Sequence, residues 1–289
     1  MFASPCRACV SLPTKRARPT LLFIFFLEKI ISAFIMNWPE QCAVVIPCLN
    51  EEEAIGPLVT AVRSRLPNVF VVDDGSADRT AALAAEAGAV VLRHEKSRGK
   101  GAALQTGWRH ALDRGFQWAL SMDGDGQHSP DDIASFLNSA GRTMTQLTVG
   151  NRMNHAAQMP WLRRLVNRWM SRRISRVAGR PLPDSQCGFR LMHLEVWATL
   201  PINALHFEIE SDVLLAFATR NCRIEFVPVR VLYKNERSKI DPLTDTVRWL
   251  RWWQKARRNS IPGADVPGAA ADLAMEKSKL FAGVEATRP

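Results

Sequence analysis

From Cys42 onward the chain repeats one unit: a short apolar run, a polar turn, then a helical stretch. The runs are CAVVIPCLN, VFVVDD, AVVLRHE and FQWALSMD. Between them, residues 51–66, 78–87 and 101–114 carry helical periods, and Gly88 and Gly115 are placed to stop two of these helices. Apolar strands without a polar alternation need cover on both faces. Alternation with helices supplies that cover, so the expected fold is α/β with a mostly parallel sheet and helices on both sides. In such sheets a ligand sits at the carboxyl ends of the strands. The polar clusters fall at those ends: Asn50-Glu51, Asp73-Asp74 and Asp123-Gly-Asp125.

The second half is less regular. LTVGNRM reads as a further strand, residues 161–179 as a strongly basic helix, FEIESDVLLAFATR as a helix, IEFVPVRVLY as a strand and TDTVRWLRWWQKARR as a basic, Trp-rich helix. Residues 36–259 make one domain. Residues 260–289, rich in Gly, Ala and Pro, are expected to be a disordered tail. Residues 1–35 are expected to lie outside the domain, with Met36 as the suspected true start. LLFIFFLEKIISAFIM is interrupted by Glu28-Lys29 and falls short of the roughly 20 apolar residues of a membrane span, and a membrane anchor is the second reading of this segment.

The chain has 38 Lys+Arg against 28 Asp+Glu, a net charge of +10, which suits an anionic partner. The six cysteines include one lone CxxC, Cys6 to Cys9, without a second pair, so zinc is not expected. The rest read as reduced thiols of a cytosolic protein. SMDGDGQHSPDD combines Asp123-Gly-Asp125 with a capping box beginning at Ser129. It is not an EF-hand, because His128 and Ala134 stand where Gly and Glu are needed. Two carboxylates with phosphate oxygens completing the shell are the usual seat of Mg²⁺, and a solvated acidic loop is the alternative. RGKGAA is not a Walker A motif, since His94 replaces the first Gly and Gly101 the Ser or Thr. It reads equally as a basic turn beside an anion or a glycine-permitted turn.

VVIPCLNEEEAI, VVDDGSADRT, SRGKGAAL, DGDGQHSPDDI, GNRM and DSQCGFRLM stand in order from Val44 to Met192, and the resemblance they carry covers roughly Cys42 to Lys239. Together they resemble family 2 glycosyltransferases of the GT-A fold, a Rossmann-like sheet, and especially the polyprenyl- or dolichyl-phosphate mannosyl- and glucosyltransferases. The resemblance implies inverting transfer from a nucleotide-diphosphate sugar (GDP-mannose or UDP-glucose type) to a polyprenyl-phosphate lipid, with Mg²⁺ or Mn²⁺. Carried onto this sequence, it implies that Pro47, Leu49 and Glu51 line the nucleotide and that Val72 and Asp74 hold base and ribose. Leu49 stands where the family branch has Tyr. Asp123 and Asp125 are the implied metal and diphosphate ligands, with Asp125 catalytic. The resemblance also implies Arg152 and Arg190 near the transferred or acceptor phosphate, Arg190 also as a catalytic residue. Lys239 lies over the diphosphate, and Arg237 replaces an Arg that the pattern expects where Tyr233 stands.

The chemistry is coherent in itself. A leaving nucleoside diphosphate develops charge that a metal and basic side chains neutralise. A phosphate acceptor is already anionic, whereas a hydroxyl acceptor needs a base, for which Glu208 and Glu210 are the candidates. A non-catalytic membrane- or nucleic-acid-binding module is the reading from another class, but acidic strand ends would repel nucleic acid. The helix with Trp249, Trp252 and Trp253 among basic residues suits a lipid headgroup surface; plain packing on the domain is its alternative. The expected place of work is the cytoplasmic membrane face, as a peripheral protein.

Overall fold

The computed structural model describes residues 36–153, 159–230 and 242–260. The suspected extension at 1–35, the tail beyond 260 and the sequence around Arg237 and Lys239 lie outside the described residues. A short helix α1 (Trp38–Gln41) leads into β1 (Cys42–Cys48), followed by α2 (Glu52–Arg63), β2 (Val69–Asp73), α3 (Thr80–Glu86), β3 (Val90–Arg93), α4 (Lys100–Asp113) and β4 (Trp118–Ser121). A single turn of 3₁₀ helix (Pro130–Asp132) opens α5 (Ile133–Thr143). Then come β5 (Leu147–Asn151), α6 (Trp161–Ala178), β6 (Arg190–His193), α7 (Leu194–Ala198), α8 (Ile209–Thr219), β7 (Ile224–Pro228) and α9 (Pro242–Ser260).

The seven strands form one sheet in the order β3-β2-β1-β4-β6-β5-β7. All pairings are parallel except those of β6, which runs antiparallel to both β4 and β5. β1 is an interior strand, and every one of its residues is buried, which requires cover on both faces. One cover is α4, whose Gly107 lies so close that an added Cβ would stand 2.4 Å from Val45 Cγ1. α2 buries Ala54, Ile55, Leu58, Val59 and Val62, a spacing that puts all five on one helical stripe. Truncating such a residue, as in Ile55→Ala, costs about 2–5 kcal/mol.

Gly88 and Gly115 do terminate their helices in left-handed backbone, at φ +91° and +85°. Ser129 caps the 3₁₀ turn by accepting from the Asp131 N–H. The antiparallel β6 is not readable from periodicity. The first three of its four residues, RLMH, close the CGFRLM motif, and the strand forms by fitting between β4 and β5.

The Trp-rich helix α9 packs on the domain. Trp249 and Trp253 are buried at 2% and 4% exposure, Trp249 donates to Ser211 Oγ (2.8 Å), and Trp252 donates to Asp212 Oδ1 (3.0 Å). Of the two sequence readings, the packing one describes these indoles.

Candidate active site

Three loops at the carboxyl ends of β1, β2 and β3 are tied into one rim. Asn50 takes a left-handed conformation (φ +53°), which Asn tolerates, and its side chain accepts from the Ala77 N–H while its own N–H donates to Ser76 Oγ. The Glu51 N–H donates to Thr80 Oγ1. Asp74 is the knot. Its Oδ1 meets His94 Nδ1 at 2.6 Å and accepts from Arg98 N–H, while Oδ2 accepts from Ser97 Oγ and Gly99 N–H. Burial alone would raise its carboxyl, but these donors outweigh burial and hold it below the ordinary value. Four donors fill the four lone-pair sites of a carboxylate. Asp74 is 3% exposed, and in this structure its contacts are to the 94–99 loop, which it shapes. Pro47 and Val72 are register partners across β1 and β2. Leu49 and Glu51 follow on the same rim.

The end of β4 is built differently. Asp123 Oδ1 lies 2.7 Å from Lys100 Nζ, and Oδ2 lies 3.3 Å from His128 Nε2. Lys100 also meets Glu210 Oε1 at 2.6 Å. The ammonium thus bridges two carboxylates from β4 and α8. Burial disfavours its charge, yet the two carboxylates outweigh burial and hold its pKa above the ordinary lysine value. By the same balance Lys100 and His128 hold the Asp123 carboxyl far below its usual range against the effect of burial. The position of Lys100 is set by its flanking glycines. A Cβ on Gly99, which also has φ +99°, would lie 2.4 Å from Leu205 O, and one on Gly101 would lie 2.5 Å from Ala204 O. Only bare backbone lets the start of α4 approach residues 204–206. Gly188 is needed for the same reason, since a Cβ there would stand 2.7 Å from Asp123 Oδ1.

Arg152 and Arg190 do not reach into this space. Arg152 is 7% exposed and pairs bidentately with Asp184, from Nε at 2.8 Å and Nη2 at 2.9 Å. Burial opposes both charges, but each partner stabilises the other, raising the arginine and lowering the aspartate. Arg190 is 4% exposed and donates to the carbonyls of Cys187, Glu210 and Ser185 at 2.7, 2.5 and 3.0 Å. Burial lowers its pKa. Both guanidiniums, expected from sequence at the acceptor phosphate, have internal partners here. Arg190 staples the CGFR turn to the start of α8 and so positions Glu210 against Lys100. The sequence reading missed Lys100 and His128 as site residues. Their signals were the Gly-Lys-Gly triplet and a His five residues after Asp123.

Asp125 accepts one backbone hydrogen bond, from Gln127 N–H at 3.0 Å, and has no charged partner among the described residues. Lys100 offsets Asp123 and Glu210, whereas no such ammonium reaches Asp125 among the described residues. No group of three His, Cys, Asp or Glu side chains among the described residues could hold an ion alone. One or two carboxylates at a strand end do fit a divalent ion whose remaining ligands come with a bound diphosphate.

Residues 43–200 match the family model "Glycosyl transferase family 2". A UDP-N-acetylglucosamine–dolichyl-phosphate N-acetylglucosaminyltransferase of Methanococcus voltae is 27% identical over 65% of this chain and 84% of its own. A polyprenol monophosphomannose synthase of Mycolicibacterium smegmatis is 30% identical over 57% of this chain and 66% of its own. An undecaprenyl-phosphate mannosyltransferase of Micrococcus luteus is 29% identical over 64% and 81%. Among solved structures, glucosyl-3-phosphoglycerate synthase of Mycobacterium tuberculosis with Mg²⁺ and UDP superposes with TM-score 0.60 at 22% identity, over 78% of this chain and 82% of that one. The same enzyme was also crystallised with Mn²⁺ and UDP-glucose. The architecture is that of the GT-A fold, and the chain belongs to glycosyl transferase family 2.

Proposed function

We propose that this glycosyltransferase moves a sugar from a nucleotide-diphosphate sugar, of the GDP-mannose or UDP-glucose type, to the phosphate of a polyprenyl lipid, with inversion. The sequence relatives named for dolichyl, polyprenol and undecaprenyl phosphate support this acceptor class. The observation that carries the choice between acceptors is the Lys100 bridge. A hydroxyl acceptor needs a general base, and Glu210, the buried candidate, has its Oε1 occupied by an ammonium 2.6 Å away. A phosphate monoester brings its own anionic oxygen and needs no base.

In the reaction, a lone pair of an acceptor phosphate oxygen forms the bond to the anomeric carbon. The bond from that carbon to the donor's diphosphate breaks, and its electron pair leaves with the nucleoside diphosphate. No proton has to move. Lys100 sets cationic charge at the start of α4, where the helix dipole also favours an anion. Asp123 and Glu210 hold the ammonium in place. Asp123 and Asp125 would hold Mg²⁺ or Mn²⁺, which supplies charge neutralisation on the leaving diphosphate when bound. Arg237 and Lys239 would be the cations over the phosphates, and Arg152 and Arg190 support the floor below. The enzyme would work as a peripheral protein at the cytoplasmic membrane face. Among the described residues no helix is long and apolar enough to cross a membrane.

The test offers mixed nucleotide sugars with either a polyprenyl phosphate or the free polyprenol and reads products by mass spectrometry. A sugar-phosphate lipid formed only from the phosphate is the expected result. Transfer to the alcohol alone would overturn the acceptor.

A further inference from the structure

We infer that the outward stripe of α6 is the surface by which the chain docks on an anionic phospholipid bilayer. This rests on the lipid-acceptor reading, because a polyprenyl phosphate stays in the membrane and the enzyme must come to it. The sequence points to α9 for this task, but α9 buries Trp249 and Trp253 against the domain. α6 shows the opposite arrangement. Its buried positions are Asn167, Met170, Ser171 and Ile174, two of them polar. Its outward positions begin with Trp161, Leu162 and Leu165, at 70%, 54% and 52% exposure, and continue with Arg168, Arg172 and Arg176. A helix that turns Trp161, Leu162 and Leu165 outward, ahead of a row of arginines, is amphipathic toward something besides its own core.

Charge decides the partner. α6 carries six Arg and no acid, and α9 carries five Lys or Arg and one Asp. Together they account for the whole net charge of +10, leaving 27 basic against 27 acidic residues elsewhere. The two helices adjoin through Trp169 and Trp249, whose ring centroids are 5.3 Å apart. Exposed Trp and Leu beside an undiluted basic row suit an interface where indole sits at headgroup level and arginines meet lipid phosphates. A neutral apolar protein groove would not call for the arginines. Nucleic acid would not call for Trp161, Leu162 and Leu165 on the same stripe.

The test uses the full chain and sedimentation with vesicles of phosphatidylcholine, with and without phosphatidylglycerol. Wild type should bind the anionic vesicles and lose binding as salt rises. Arg168→Glu/Arg172→Glu/Arg176→Glu should bind about a hundredfold more weakly, and Trp161→Ala/Leu162→Ala/Leu165→Ala on the order of tenfold more weakly. Both variants alter exposed side chains, so thermal melting should match wild type. Brominated lipid should quench indole emission in wild type and less so in Trp161→Phe. Transfer to polyprenyl phosphate in detergent micelles should be unchanged by the α6 variants. If wild type transfers nothing in micelles, the acceptor reading fails, while the vesicle result still decides the docking surface. Wild type that ignores anionic vesicles would overturn the inference. So would α6 variants that bind like wild type, or binding abolished only by Arg251→Glu/Lys255→Glu/Arg258→Glu.

Discussion

Asp74 and Asp125 stand just beyond the two strands that flank β1, yet they do opposite things. Asp74 has every acceptor site filled by its own 94–99 loop and is nearly inaccessible. Asp125 accepts one backbone N–H and faces no cation among the described residues. A carboxylate saturated by fixed donors builds a loop, whereas one with unused lone pairs is available to a ligand. The acidic motifs look alike in sequence; what separates them is how many donors the fold sends to each.

The largest effect expected concerns a carboxylate saturated by a charged partner, Asp184, held by Arg152 just beyond the end of β5. Arg152→Met leaves Asp184 buried and unpaired, and removing one partner of such a pair costs about 3–5 kcal/mol. Chemical denaturation should show this as a lower midpoint. A loss of activity with stability unchanged would instead return Arg152 to the acceptor site.

Next in size, Asp125→Ala should keep the wild-type melting temperature and reduce transfer about 10²- to 10³-fold, the scale of one lost electrostatic stabiliser. Asp74→Asn should behave the other way round. Its new amide donor faces N–H groups, and melting should reveal a loss of about 1–3 kcal/mol.

A smaller effect concerns acid. The folded Asp74 carboxyl lies below its ordinary value, so the unfolded chain binds the extra proton first as pH falls. Its contribution to stability is present above the unfolded value of about 3.9 and disappears as pH drops through the folded one. Melting temperature against pH should therefore fall less steeply below about pH 4 in Asp74→Asn than in wild type. Equal slopes would mean that Asp74 is not held as an anion by its loop.

The first four strands and their helices were legible because each is a local apolar run bounded by turn residues, and the ordered motifs carried the family. What sequence could not show is non-local. β6 becomes a strand by pairing with two others, antiparallel in a mostly parallel sheet. The Gly-Lys-Gly triplet does not disclose that Lys100 bridges carboxylates 23 and 110 positions away. Arg152 and Arg190 look like phosphate ligands until Asp184 and three carbonyls are placed around them. Sequence leaves the α9 indoles open between a lipid surface and packing on the domain, because it cannot place Ser211 and Asp212 at the N–H groups of Trp249 and Trp252.

Thermal shift with a nucleoside diphosphate, with and without Mn²⁺, tests the contrast most directly. At 100 times its dissociation constant a ligand adds about 2.7 kcal/mol of stability, enough to read in a melting curve. Wild type and Asp74→Asn should both gain stability from UDP or GDP with Mn²⁺, and Asp125→Asn should gain little. The contradicting result is a full shift in Asp125→Asn, together with none in a folded Asp74→Asn, which would place the ligand at the end of β2.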